Sequence, residues 1–281
     1  MLGRLLLQYL KPYRWLLLGV LVFQFASALA SLYLPSLNAD IIDNGVAKGD
    51  TAYIWSTGAV MLAISLGQIT SAIIATFFAA RAAMQVGRDL RRDIFRRVSE
   101  FSEREVSQFG AGSLITRNTN DVQQVQMLAM MGATMLVSAP LLAIGGIIMA
   151  LRQDVGLSWI IGVAVPVLLV IAVLIIGRMV PRFRGLQAKL DGINRIMGEQ
   201  LTGIRVVRAF VREDVERARF AEANTTYTGT ALAVGKLMAL AFPIVMVIFN
   251  ASTVAVLWFG AQRIDTGAMQ IGALTAFMAY L

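Results

Sequence analysis

Five long apolar runs constrain this chain more than any other feature. They lie near Trp15–Leu37, Ile54–Ala80, Met127–Leu151, Leu157–Met179 and Leu237–Gly260. Each is long enough to cross a bilayer as a helix, which takes about 20 apolar residues. A sixth run, Ala268–Leu281, supplies only 14 residues. At the helical rise that is about 21 Å, against a hydrocarbon core of about 30 Å. The expectation is an all-α membrane protein with six transmembrane helices, the last incomplete, cut from a longer polypeptide. Composition agrees: 57% of the residues are hydrophobic and 15% charged, with a mean hydropathy of +0.69. Soluble domains sit nearer a quarter charged, and one soluble core of this size could not cover so much apolar side chain. The chain has no Cys and no His. That excludes a disulfide framework, a thiolate metal site, a cysteine nucleophile and imidazole acid–base chemistry.

The cations set an orientation. Arg4, Lys11 and Arg14 precede the first run, eight arginines lie between Arg81 and Asp121, and ten Lys/Arg lie between Arg178 and Glu222. Together these hold 21 of the 25 cations. The alternate connections hold only Lys48, Arg152 and Arg263. The positive-inside rule therefore predicts a cytoplasmic N-terminus and two long cytoplasmic connections, in a multi-pass protein of the cytoplasmic membrane. The net charge of +8 follows mostly from this asymmetry, so no nucleic-acid partner is inferred. Residues 1–12 alternate Leu5, Leu6, Tyr9 and Leu10 with Arg4, Gln8 and Lys11, and Pro12 then breaks the pattern. This predicts an amphipathic elbow helix in the cytoplasmic interface.

Both long connections carry helical stripes. Val86, Leu90, Ile94, Val98 and Phe101 continue the second run as one helix; Ile54–Phe101 would span about 70 Å. Leu186, Leu190, Ile193, Met197, Leu201 and Ile204 form a near-heptad seam beyond the fourth. Each stalk is interrupted at its tip. Ser102 can cap a short helix with Glu105 as its capping-box partner, running Ser102-Glu103-Arg104-Glu105-Val106-Ser107-Gln108-Phe109 and ending at Gly110. The second interruption lies around Ala209-Phe210-Val211-Arg212-Glu213-Asp214. Each tip reads either as a docking element or as a plain helical corner.

The residues resemble a family. Phe109-Gly-Ala-Gly-Ser-Leu-Ile-Thr-Arg-Asn-Thr-Asn-Asp121-Val resembles the first intracellular loop of ABC exporters. Glu199-Gln-Leu-Thr-Gly203-Ile-Arg-Val-Val-Arg-Ala-Phe210-Val-Arg-Glu213, with Arg219-Phe220 and Asn224, is similar to the second. Asp40-Ile-Ile-Asp43-Asn-Gly45 with Gly49-Asp50 resembles the first outer loop, and Gly272–Leu281 the start of the sixth span. The resemblance implies one six-helix transmembrane domain over residues 1–281, paired with a second such domain and with two nucleotide-binding domains that use ATP and Mg. Ser102, Glu103, Glu105, Val106 and Phe109 would belong to the first coupling helix. Ala209, Phe210, Val211, Arg212, Glu213 and Asp214 would form the second. The implied activity is ATP-driven export of an amphipathic, drug-like or lipid-like substrate by alternating access.

The chain itself has no P-loop, so no catalytic residue, bound cofactor or metal is expected in it. Its nearest look-alike, Gly235-Lys236, has Thr230 where the first Gly belongs and Leu237 in place of Ser/Thr. Candidate substrate-cavity residues are Gln68, Met135, Ser138, Phe242, Met246 and Asn250, the last three on one helical face. Thr134 is a further polar residue inside a span. Met and Phe adapt to varied apolar ligands, whereas ordinary helix packing explains the same residues equally. Pro140, Pro166 and Pro243 lie inside spans, as hinges or as static kinks. No carboxylate sits in mid-span, and Lys236 is expected to snorkel to the inner interface. This speaks against a proton- or sodium-driven carrier, which usually needs buried ionisable groups, while a secondary transporter or channel is kept as an alternative. A non-transporting membrane sensor with the same helices stays open.

Overall fold

A computed structural model describes residues 2–281. Among them every regular element is helical. The elbow helix α1 (Leu2–Leu10) passes through a 3₁₀ turn at Lys11–Tyr13, holding Pro12, into α2 (Arg14–Asp40). A π-helical turn at Ile41–Val46 follows. Asp50 then starts α3 (Thr51–Ser99), its carboxylate accepting from the Tyr53 N–H at 3.0 Å. Two short helices, α4 (Glu103–Phe109) and α5 (Ala111–Thr116), turn the chain, and a π-helical segment at Arg117–Asp121 leads into α6 (Val122–Gln153). Then come α7 (Trp159–Thr202), the short α8 (Ile204–Ala209), α9 (Glu213–Asp265) and α10 (Ile271–Tyr280).

Five of the helical stretches are long and apolar enough to cross a membrane, and α10 is a shorter apolar helix. Four of the five expected spans lie within one of them, and the fourth, expected from Leu157, begins two residues later at Trp159. The long helices run on well past the apolar segments, α3 to Ser99, α7 to Thr202 and α9 back to Glu213, so the cation-rich connections are mostly helix.

The chain divides into two compact units, Met1–Gly156 with Gly260–Leu281, and Leu157–Phe259. In the first, small residues on α3 (Ala75, Ala79, Ala82 and Ala83) are almost wholly buried and let neighbouring helices approach closely. Phe23 of α2 meets Phe78 of α3 with ring centroids 5.9 Å apart, and Phe277 of α10 is fully buried. Where the stalk leaves the apolar region, Val86, Leu90 and Val122 form a core cluster capped by Tyr9, Leu10 and Tyr13 of the elbow.

In the second unit α7 and α9 pair. Trp159 meets Phe259 edge-on at 5.4 Å near one end. Further along, Lys189 donates to the Thr230 hydroxyl at 2.5 Å, and Arg219 pairs with Glu199 at 2.9 Å. The heptad seam is only partly covered here. Ile193 is buried and so is Ile196, which the seam omitted, while Met197 and Leu201 are exposed. Only one long helix of its unit packs on α7, so one edge of the stripe stays open.

Candidate functional site

The tip of the first stalk is built from its cap upward. Ser102 Oγ accepts from the Glu105 N–H at 3.4 Å, and the Glu105 carboxylate accepts from the Ser102 N–H at 2.8 Å. These reciprocal bonds start α4, and the Ser102 N–H and then its hydroxyl, both donating to the Glu105 carboxylate, hold that carboxyl below its ordinary value. Gly110, at φ +76°, ends α4 in a conformation few side chains adopt. Phe109 then stacks on Phe101 at 5.7 Å, and the Arg117 guanidinium lies 5.4 Å over its ring. A cleft of about 180 Å³ remains beneath, lined by Ile94, Val98, Phe101, Phe109 and Leu114. Glu103 and Glu105 are exposed on the short helix, and Val106 is half-buried. The tip is thus a capped, ring-packed knob with an acidic first turn.

The second tip differs from the expectation of a helix over Ala209–Asp214. Gly203 ends α7, and the short helix comes earlier, at Ile204–Ala209. Phe210, Val211 and Arg212 form the turn into α9, which Glu213 and Asp214 begin. The Arg212 N–H bonds back to the Val207 carbonyl at 3.0 Å. Val211 stands at φ +53°, a conformation that β-branched residues rarely take. Phe210 and Val211 are 72% and 82% exposed, so the tip presents two apolar side chains to its surroundings.

The elbow is fastened to the stalk by contacts that the sequence pattern did not announce. The Tyr9 hydroxyl donates to Asp93 at 2.9 Å, and Tyr13 donates to Asp89 in a shorter bond. Arg88 and Arg92 flank Asp89, at 3.2 and 3.5 Å. The Tyr13 bond, helped by these cations, holds the Asp89 carboxyl below its usual value despite an opposing effect of burial. Burial, reinforced by the bond to Asp89, raises the Tyr13 phenol above its own. Beside this latch Gln126 is buried, accepting from Arg91 at 3.1 Å.

At the other end of the first unit three polar ties hold the helix ends. Arg263 Nε donates to the buried Asp154 carboxylate at 3.0 Å. Asp43 accepts from the Gly272 N–H at 2.7 Å, at the start of α10. Gly272 is obligatory there, since a Cβ would overlap the Ala39 carbonyl and the Asp43 carboxylate. A hydrogen-bond chain runs from Gln153 to Ser36, on to Tyr280, and to the Leu32 carbonyl. The outer-loop resemblance named Asp43 and the sixth-span resemblance named Gly272; nothing in their spacing showed that they meet.

The six candidate cavity residues fall on three helices. Gln68 lies on α3 with Met135 and Ser138 on α6, all in the first unit; Phe242, Met246 and Asn250 lie on α9 in the second. Met135 and Phe242 are largely exposed, and so is Asn250. None of the six lines the apolar groove of about 540 Å³ between α2 and α6, or that of about 320 Å³ between α7 and α9. Nor does the Gly235-Lys236 look-alike fit a nucleotide. Residues 230–237 lie inside α9, where the backbone N–H groups are spent on helical bonds and no phosphate-cradling loop exists.

Comparison with known proteins agrees with this architecture. The family described as the ABC transporter transmembrane region matches residues 17–281. The chain is 50% identical, over 280 residues, to an uncharacterized ABC transporter ATP-binding protein of Mycobacterium tuberculosis, covering 100% of this chain and 48% of that protein. It is 32% identical over 274 residues to an uncharacterized ABC transporter ATP-binding protein of Bacillus subtilis, covering 98% and 48%. It is 24% identical over 279 residues to an ATP-dependent lipid A-core flippase of Chromohalobacter salexigens, covering 98% and 47%. The chain thus spans about half the length of the relatives it matches. Its long apolar helices, their extensions and this match show that the chain belongs to the ABC transporter transmembrane region family.

Proposed function

We propose that this chain is the membrane-spanning part of an ATP-driven exporter of the cytoplasmic membrane, with α1 and the stalk tips on the cytoplasmic side. The observation that carries it is the pair of capped and turned tips, α4 and residues 204–214, at the ends of rigid helices in a chain of this family. Six transmembrane helices are proposed, with α10 belonging to the sixth. The partners are a second transmembrane domain, two nucleotide-binding domains and the surrounding lipid. ATP and Mg belong to those nucleotide-binding domains, since the residues of this chain do not fit them. As the two domains approach, they draw the stalks inward and open the cavity outward; their separation resets it.

The roles follow from what each tip presents. Ser102, Glu103, Glu105, Val106 and Phe109 would seat the first tip as a capped knob. Phe210 and Val211, with Arg212, Glu213 and Asp214 behind them, would seat the second as an apolar wedge, and Ala209 closes α8. The proposed substrate is amphipathic, drug-like or lipid-like, in keeping with the flippase names among distant relatives. Its proposed contacts are Gln68, Met135, Ser138, Phe242, Met246 and Asn250.

The test uses the complete transporter in vesicles. Phe210→Asp and Gly203→Pro are expected to insert normally but to separate ATP hydrolysis from substrate movement. Unchanged substrate-stimulated hydrolysis and transport in both variants would refute the lever role of the second tip.

A further inference from the structure

The first 39 residues carry three cations, Arg4, Lys11 and Arg14, and no acidic side chain at all. All three cations are exposed. Apolar groups lie among them: Leu7 and Trp15 are each 72% exposed, and the Arg14 guanidinium stands 5.7 Å from the Trp15 ring centre. The other side of the elbow is occupied. Tyr9, Leu10 and Tyr13 pack on Val86, Leu90 and Val122, and both phenols bond to carboxylates of α3. One short segment therefore joins an unpartnered cationic, apolar surface to a rigid attachment on the stalk.

We propose that α1 and the start of α2 bind anionic phospholipid of the cytoplasmic leaflet, and that the Tyr9–Asp93 and Tyr13–Asp89 bonds pass this contact to the stalk. The occupant is fixed by charge complementarity: three cations without a counter-charge, beside an aromatic ring and a leucine suited to the headgroup boundary. Asp89 and Asp93, the acidic groups bonded to the elbow's phenols, are also engaged by Arg88, Arg92 and Arg96, and among the described residues no ion pair reaches Arg4, Lys11 or Arg14. A headgroup drawn to Arg14 sits one residue from Tyr13, and hence one hydrogen bond from the stalk. The proposal rests on the cytoplasmic placement of the elbow proposed above.

The test uses the full-length transporter in phosphatidylcholine nanodiscs containing brominated phosphatidylglycerol or, in parallel, brominated phosphatidylcholine. Quenching of Trp15 is read as the difference between the protein and its Trp15→Phe variant. Stronger quenching by the anionic lipid is expected. Its preference should fall about fivefold for each cation removed in the series Arg4→Gln, Lys11→Gln, Arg14→Gln. Phosphatidylglycerol should also slow amide exchange over residues 86–94. The Tyr9→Phe/Tyr13→Phe variant keeps the rings in the core, so it should retain the quenching and lose the slowing. Equal quenching by the two lipids would overturn the binding surface, and slowed exchange surviving in the double-Phe variant would overturn the latch. Quenching by neither lipid would instead refute the membrane placement of the elbow.

Discussion

At the residue scale, the telling contacts join positions far apart in sequence through groups that titrate or cannot be replaced. Asp89 and Tyr13 set a pH window. A carboxyl held below its ordinary value adds stability that is present above the unfolded value, about 4, and lost as pH falls through the folded one. A phenol raised above about 10 adds stability that is present below that value and lost as pH rises through its folded one. The latch should therefore hold between these limits and weaken in acid. Asp89→Asn should flatten the acid side of a plot of melting temperature against pH, since no carboxyl remains there to be protonated. A second residue-scale case is Arg263. Its removal leaves the Asp154 carboxylate buried with its cationic partner gone, whereas Arg263→Lys keeps the charge. Arg263→Ala should cost about 2–4 kcal/mol, toward the lower end because Arg263 is partly exposed, with the Lys variant intermediate. Equilibrium unfolding in mixed micelles would measure it.

At the element scale, local chemistry decided what could be foreseen. The start of α4 was legible because its cap is made of adjacent residues: Ser102 and Glu105 need only each other. Its end was legible too, since Gly110 supplies the backbone conformation that stops it. The turn of the second tip lies where it was expected, but its short helix comes about one turn earlier than the resemblance implied, because its signal is not local. The apolar seam was read on through Ile204, past Gly203, yet Gly203 ends α7. Val211 gives no sequence hint that it takes a positive φ. The apolar seam of α7 showed the same limit: periodicity identifies a stripe, but the neighbouring helix decides how much of it is covered. Ser102→Ala should destabilise α4 by about 1 kcal/mol. Exchange over residues 103–109 should accelerate while that over α3 is preserved. If both accelerate together, α4 is not an independent knob on the stalk.

At the scale of the whole molecule, hydropathy foretold the five helices long and apolar enough to cross a membrane, and apolar stripes foretold their extensions, while the sixth expected span is a shorter apolar helix. They could not foretell which helices share a unit. The division after Gly156 and before Gly260 depends on packing between α10, α2 and α6, made by ties such as Asp43–Gly272 and Ser36–Tyr280. Each candidate cavity residue was chosen for its own helix face, and periodicity along one helix does not say which other face it meets. The proposed orientation can be read directly, since the chain has no cysteine to remove. Single substitutions Ser107→Cys, Thr225→Cys, Lys48→Cys and Thr266→Cys place one thiol each near a stalk tip, along α9, and in the two short connections at the opposite end. In intact cells a membrane-impermeant maleimide should label Cys at 48 and 266 and leave those at 107 and 225 unmodified until the membrane is opened. The reverse pattern would place the 21 clustered cations outside and overturn the proposed orientation. Labelling at 107 and 48 alike in intact cells would mean that α3 does not cross the membrane.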